Sequence, residues 1–148
     1  MRILALDVGT KTIGVAVSDE LRIAARGVTT IKRTDLKRDL EALRKIIDQY
    51  SPSEVLVGVP YNNDGAVSKR GEVILKFVEK IKNSFSLPIE LWDESFSTVD
   101  AEKILLEADL SRKKRRKVID KLAAVFILQD YLQQKVNIKP RTDTIEQK

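Results

Sequence analysis

Cysteine and histidine are both missing from this 148-residue chain. Without cysteine there can be no disulfide scaffold, no thiol nucleophile and no cysteine–histidine zinc site. Without histidine there is no serine–histidine triad and no imidazole general base. Any enzymatic chemistry must therefore rest on carboxylates, hydroxyls, lysines or a hard, oxygen-bound cation such as Mg²⁺ or Mn²⁺. Aromatic residues make up only 5%, too few for a single-strand stacking platform. No apolar run approaches the roughly 20 residues a bilayer crossing needs, so no membrane partner is expected. The first residues enter a strand pattern rather than a basic-then-apolar leader, and the expected location is the cytoplasm.

What is present is the composition of an ordinary globular protein, 43% hydrophobic and 33% charged. The length suits one domain with a sizeable core. We expect that domain over residues 1–136, followed by a polar, aperiodic tail at 137–148. The net charge of +5 is local. Arg112-Lys113-Lys114-Arg115-Arg116-Lys117 supplies six positive charges, and the remainder of the chain is close to neutral.

The chain is organised around residues 1–19. Arg2 to Val8 reads as a buried strand with one carboxylate, Asp7, near its end. Gly9-Thr10-Lys11 turns the chain, and Ile13 to Asp19 forms the second arm of a hairpin. Glycines at 9 and 14 permit a tight turn and a close approach to a ligand. An ionised Asp on a core strand is costly unless paired or bound to a metal. The plain alternative is that Asp7 caps its own turn.

A third strand is expected over 24–33. Leu36, Leu40, Leu43, Ile46 and Ile47 then follow helical spacing, with Thr34 or Asp35 as cap and Ser51-Pro52 as terminator. Residues 54–60 read as a strand covered on both faces. Tyr61 to Gly65 forms a polar loop whose simplest reading is a turn. A helix over 68–83 precedes a strand over 87–92, which ends in Asp93-Glu94. A further helix opens at Ser97 to Asp100, and a long apolar helix runs over 118–134. The order implies an α/β mixed sheet flanked by helices, with strand 54–60 parallel to and beside strand 2–8. Ligands then belong at the carboxyl ends of the parallel strands, where Asp7, the loop of Asn62 and Glu94 fall.

In the last helix, Asp120 shares a face with Ala124, Ile127 and Tyr131. The nearby alanines would let that helix lie close to the sheet. An ion pair with Lys121 or another basic neighbour is the structural alternative for Asp120. Converging carboxylates at 7, 94 and 120 would repel one another unless a divalent ion sits among them. Such a cluster is what two-metal phosphodiester hydrolysis needs, with ions about 3.5–4 Å apart on the attacking water and the leaving oxygen, and it requires no histidine. The basic run at 112–117 can be a solvated face. Its cations, however, oppose the dipole of the helix that follows, and phosphate backbone is their natural counter-charge.

Four segments carry a resemblance: Asp7-Val8-Gly9-Thr10-Lys11-Thr12-Ile13-Gly14-Val15-Ala16, Val57-Gly58-Val59-Pro60-Tyr61-Asn62-Asn63-Asp64-Gly65, Trp92-Asp93-Glu94-Ser95-Phe96-Ser97-Thr98, and Lys117-Val118-Ile119-Asp120-Lys121-Leu122-Ala123-Ala124. In this order they resemble the motifs of the YqgF/RuvX family. That family is RNase H-like and is described as Holliday junction resolvases and as nucleases of the small-subunit ribosomal RNA precursor. The resemblance implies an RNase H-like, five-stranded mixed sheet of order 3-2-1-4-5 and a Mg²⁺- or Mn²⁺-dependent endonuclease with Asp7, Glu94 and Asp120 as catalytic and metal-binding acids. Substrate contacts are expected from Thr10, Lys11, Asn62 and the run Arg112, Lys113, Lys114, Arg115, Arg116, Lys117. Two positions depart from the family pattern: Ser95 stands where arginine is usual, and Asn63 where methionine is usual.

The expected partner is nucleic acid, either precursor rRNA or branched DNA. A resolvase would also need a two-fold homodimer to cut two strands symmetrically. A nucleic-acid-binding or ribosome-assembly factor with weak or no cleavage is an alternative. A nucleotide-binding phosphotransferase is a lesser one, since such enzymes need two lobes of this kind and the chain has room for one. One tension is geometric. If strand 54–60 separates the strands bearing Asp7 and Glu94, their backbones lie roughly 10 Å apart, and Asp64 and Asp93 become reserve ligands.

Overall fold

Alternation along the first strand sets the layering of the molecule. The computed structural model describes residues 1–62, 64–93 and 121–135. Its elements are β1 (Ile3–Val8), β2 (Thr12–Ser18), β3 (Ala25–Lys32), α1 (Leu36–Tyr50), β4 (Glu54–Val59), α2 (Lys69–Ser84) and β5 (Ile89–Asp93), with a third helix, α3, over 121–135. The five strands form one sheet in the order β3-β2-β1-β4-β5. β1 is antiparallel to β2 and β2 to β3, whereas β1–β4 and β4–β5 are parallel. The mixed sheet and its expected order are both found.

Because strand side chains alternate, β1 feeds two separate cores. Leu4, Leu6 and Val8 pack with Leu43 and Ile46 of α1 and with Ile74, Phe77, Val78 and Ile81 of α2. Ile3 and Ala5 point the other way, into a cluster with Ala16, Leu56 and the α3 residues Ala124, Ile127, Leu128 and Tyr131. The small side chains at Ala5, Ala16, Ala123 and Ala124, all fully buried, allow the close approach of α3 to the sheet. At one end of α3, the Lys121 stem lies over β3: a Cβ added to Gly27 would fall 2.7 Å from its Cγ. At the other end, the Tyr131 ring meets Trp92 of β5 edge-on, with centroids 5.1 Å apart. The helix therefore spans the sheet from β3 to β5.

Local signals fixed the element ends. Asp35 caps α1 by accepting from the Arg38 amide, and Ser51 closes it in the left-handed region at φ 46°. Ser68 caps α2 by accepting from the Gly71 amide. The strand expected over 87–92 is Ile89–Asp93 instead. Pro88, with no N–H to give a ladder, precedes the strand, and its carbonyl accepts from the Val55 amide at 2.9 Å. The helix expected to open at 97–100 and the tail at 137–148 lie outside the described residues.

The first turn of α2 packs tightly on the end of β4. A Cβ at Gly71 would come 2.8 Å from the Pro60 carbonyl oxygen and 2.6 Å from Val67 Cγ1. Gly71→Ala should therefore destabilise the protein by about 1–3 kcal/mol through overpacking. Thermal unfolding checks this, and an unchanged Tm would contradict it.

Candidate active site

Continuing the β1 alternation, Asp7 belongs to the face of Ile3 and Ala5, the one covered by α3. It is 5% exposed. Its atom Oδ1 is buried and takes no hydrogen bond from a described residue, though the residue as a whole does have partners. The lateral neighbours of Asp7 on this face are small. Gly14 of β2 pairs with it directly. On β4, Gly58 follows Val57, the ladder partner of Leu6. A carboxylate set between two glycine positions has a sheet floor beside it that no side chain of those strands fills.

The turn after β1 is tied down. The Gly9 amide donates to the Thr12 carbonyl at 2.8 Å, and the Lys11 carbonyl accepts from the Arg33 amide at 2.9 Å. Thr10 and Lys11 are exposed on this turn. The loop after β4 emerges at the same edge, because β1 and β4 run parallel. In it, the Asn62 amide donates to the Ala66 carbonyl at 2.7 Å and its carbonyl accepts from Gly65 at 2.9 Å. Gly65 takes φ 86°, which only glycine adopts readily. Asp7, Thr10, Lys11 and Asn62 thus stand on neighbouring loops of one sheet edge. Glu94, Asp120 and the run 112–117 lie outside the described residues, as does Asn63. Among the described residues no three carboxylates gather into a metal-sized cluster.

The two reserve acids are placed elsewhere. Asp64 serves its own turn, Oδ1 accepting from the Ala66 amide at 3.0 Å. Asp93 pairs with Val59, whose side chain is in the α1/α2 core; by register Asp93 belongs to the face opposite Asp7.

Several contacts around this face and along α3 are not evident from the sequence alone. Thr30 pairs with Gly14 and Lys32 with Thr12, so both share the Asp7 face toward the β3 edge. Their polar–x–polar spacing in a strand was the available clue. Asp39 is 2% exposed and holds Arg33 at 3.1 Å. At the far end of α3, the Tyr131 hydroxyl donates to Glu90 Oε2 at 2.7 Å, and Trp92 Nε1 donates to Asp130 Oδ2 at 2.7 Å.

The comparisons with known proteins agree with this geometry. The pattern of RuvX, described as Holliday junction resolvase, matches residues 1–134. The chain belongs to the RuvX family. It is thereby a member of a nuclease family. A protein of Desulforamulus reducens is 54% identical over 132 residues, covering 89% of this chain and 96% of its own. One of Thermoanaerobacter pseudethanolicus is 51% identical over 138 residues, covering 93% and 99%. Both bear the name "Putative pre-16S rRNA nuclease". Among solved structures, T. thermophilus RuvC in complex with a Holliday junction substrate is similar at TM-score 0.60 and 15% identity, covering 92% of this chain and 96% of that one. The fowlpox virus resolvase in complex with Holliday junction DNA is similar at TM-score 0.58 and 12% identity, covering 90% and 98%. At these identities the likeness is one of fold, and it matches the sheet described above.

Burial, the hydrogen bond to Glu90 and the nearby Glu54 charge hold the Tyr131 phenol far above its ordinary range. A raised folded-state value means its contribution to stability is complete below the unfolded value, about 10, and is lost as pH climbs beyond it. Ultraviolet titration should show one phenol ionising late, and Tyr131→Phe should remove that step.

Proposed function

We propose that this chain is a divalent-metal-dependent endonuclease that hydrolyses phosphodiester bonds in structured precursor rRNA. The carrying observation is Asp7, a carboxylate 5% exposed at the carboxyl end of β1, paired with Gly14 beside the turn that bears Thr10 and Lys11. Parallel-sheet proteins bind their ligands at this edge. The choice of rRNA follows the name borne by relatives that are about half identical and match nearly end to end. The family description favours branched DNA as a second reading.

The available donors suit a hard cation. The chain has no cysteine or histidine, and a buried carboxylate oxygen as donor fits Mg²⁺ or Mn²⁺. Asp7 would hold the ion together with Glu94, which follows the last residue of β5, and Asp120, which precedes Lys121. The assignment of the latter two rests on their places in the family motifs. Bound there, the ion would supply activation of water and charge neutralisation at the scissile phosphate. The protein's own contributions are distinct. Asp7 is held rigidly by a fully paired strand. Lys11, with Thr10 beside it, offers charge and a hydroxyl to a phosphate oxygen. Asn62 does the same with an amide from the next loop. The run 112–117 supplies a sequence-independent grip on the backbone. We assign the protein to residues 1–136 as one working unit and to the cytoplasm, where precursor rRNA of a bacterium is found. A homodimer would be needed only for the second reading, in which two strands are cut symmetrically.

Asp7→Asn should lower cleavage of a precursor 16S fragment in Mn²⁺ by about two orders of magnitude or more, because several kcal/mol of transition-state stabilisation go with the carboxylate. Binding should persist. Equal cleavage by both proteins would trace the activity to a contaminant. Tight, salt-sensitive binding without cleavage by either would make the chain an assembly factor. Preference for a four-way DNA junction over the RNA would favour the second reading. In a separate salt titration, Lys114→Ala and Arg115→Ala should each reduce the slope of log K against log salt by about 1; an unchanged slope would remove the run from the interface.

A further inference from the structure

The turn after Asp7 is held from behind by a half-buried ion pair, Asp39 being enclosed and Arg33 partly open to solvent. Arg33 leaves the end of β3 and its NH1 donates to the Gly9 carbonyl at 2.7 Å. Its Nε donates to Asp39 Oδ2 at 3.1 Å. Its own amide donates to the Lys11 carbonyl at 2.9 Å. One residue thus grips the carbonyls on both sides of Thr10. Asp39 is fixed in turn, because its Oδ1 accepts from the Thr34 amide at 3.1 Å. The Phe77 ring of α2 lies under the guanidinium, 4.7 Å from its carbon to the ring centroid.

Such a pair needs a reason. An acid in the first turn of a helix serves the helix dipole well enough from an exposed position, yet Asp39 is 2% exposed. Taking a carboxylate out of water costs several kcal/mol before its interactions offset the loss, and here the offset comes from a guanidinium that stays partly solvated. Here both ions are committed to a turn rather than to the core: four hydrogen bonds connect Gly9, Lys11, Arg33, Thr34 and Asp39. Only a planar fork reaches a carbonyl and a carboxylate at once while stacking on a ring; an ammonium has no such geometry.

We propose that Arg33 and Asp39 are positioning residues that lock the Gly9–Lys11 turn in the conformation that presents Thr10 and Lys11 to a substrate phosphate. The locking follows from the geometry alone; its catalytic consequence rests on the nuclease reading given above. A loosened turn would leave Asp7, anchored in β1, in place. The loss would therefore fall on substrate binding rather than on the chemical step.

The test uses the full chain with Arg33→Gln, Asp39→Asn and Arg33→Lys, and with Arg44→Ala as a control. Arg44 also stacks on a ring, Phe85 at 5.0 Å, but touches no part of the turn. Hydrogen exchange is followed at residues 9–12 and in β4. We expect turn amides to exchange about tenfold faster in the Gln and Asn variants, with β4 and the control unchanged. With a precursor 16S fragment and Mn²⁺, KM should rise about tenfold while kcat stays within about threefold. A smaller folded fraction would instead lower kcat at constant KM. Arg33→Lys should retain the charge yet fail to restore turn protection. Should Arg33→Gln not fold, the near-isosteric Asp39→Asn decides. Wild-type exchange rates at 9–12 in the variants would overturn the proposal, as would a looser turn with KM unchanged. If the wild type cleaves no probe, the nuclease reading fails, and the exchange arm still decides the lock.

Discussion

A carboxylate enclosed on the face of an otherwise aliphatic sheet is the constraint on which this structure turns. Asp7 follows Ile3 and Ala5 in the alternation of β1, and its register partner on β2 is Gly14. An ionised group in such a place is tolerated only with strong compensation. The surrounding architecture converges on it: parallel strands bring the loops after β1 and β4 to one edge, and α3 closes the same face from above. The opposite face carries no such burden. It is packed with Leu, Ile, Val and Phe against α1 and α2 and supplies the rigidity against which the charged face can be held.

Much of this was legible in the residues. The strand and helix positions follow from periodicity and caps: of the two cap candidates Thr34 and Asp35 it is Asp35 that caps α1, and Ser68, expected as the first residue of α2, is its cap. The buried acid on β1 was evident because a single Asp interrupts an aliphatic run. The alanines of α3 announced a close helix–sheet contact, and Ala123 and Ala124 are fully buried.

What escaped the sequence was whatever depends on register or on long-range partners. Asp93 sits next to Glu94 in the chain, yet one step along a strand reverses the face, and its partner Val59 shows which side it takes. Asp39 looks like one more polar residue in an amphipathic helix; that it is buried follows only from Arg33 arriving over the loop at 3.1 Å. Thr30 and Lys32 belong to the Asp7 face because the register shift between Val15 and Ala16 leaves them opposite Gly14 and Thr12. Tyr131 and Glu90 are 41 residues apart, beyond any spacing rule.

The seam between β5 and α3 has an optical consequence. The single tryptophan of the chain lies there, its indole N–H on Asp130 and its ring perpendicular to that of Tyr131, two positions before Glu94. That carboxylate and that phenol are close enough for its emission to respond to their positions. Any rearrangement of the strand end as a ligand arrives would be written directly into the light this one chromophore gives off, with no label attached.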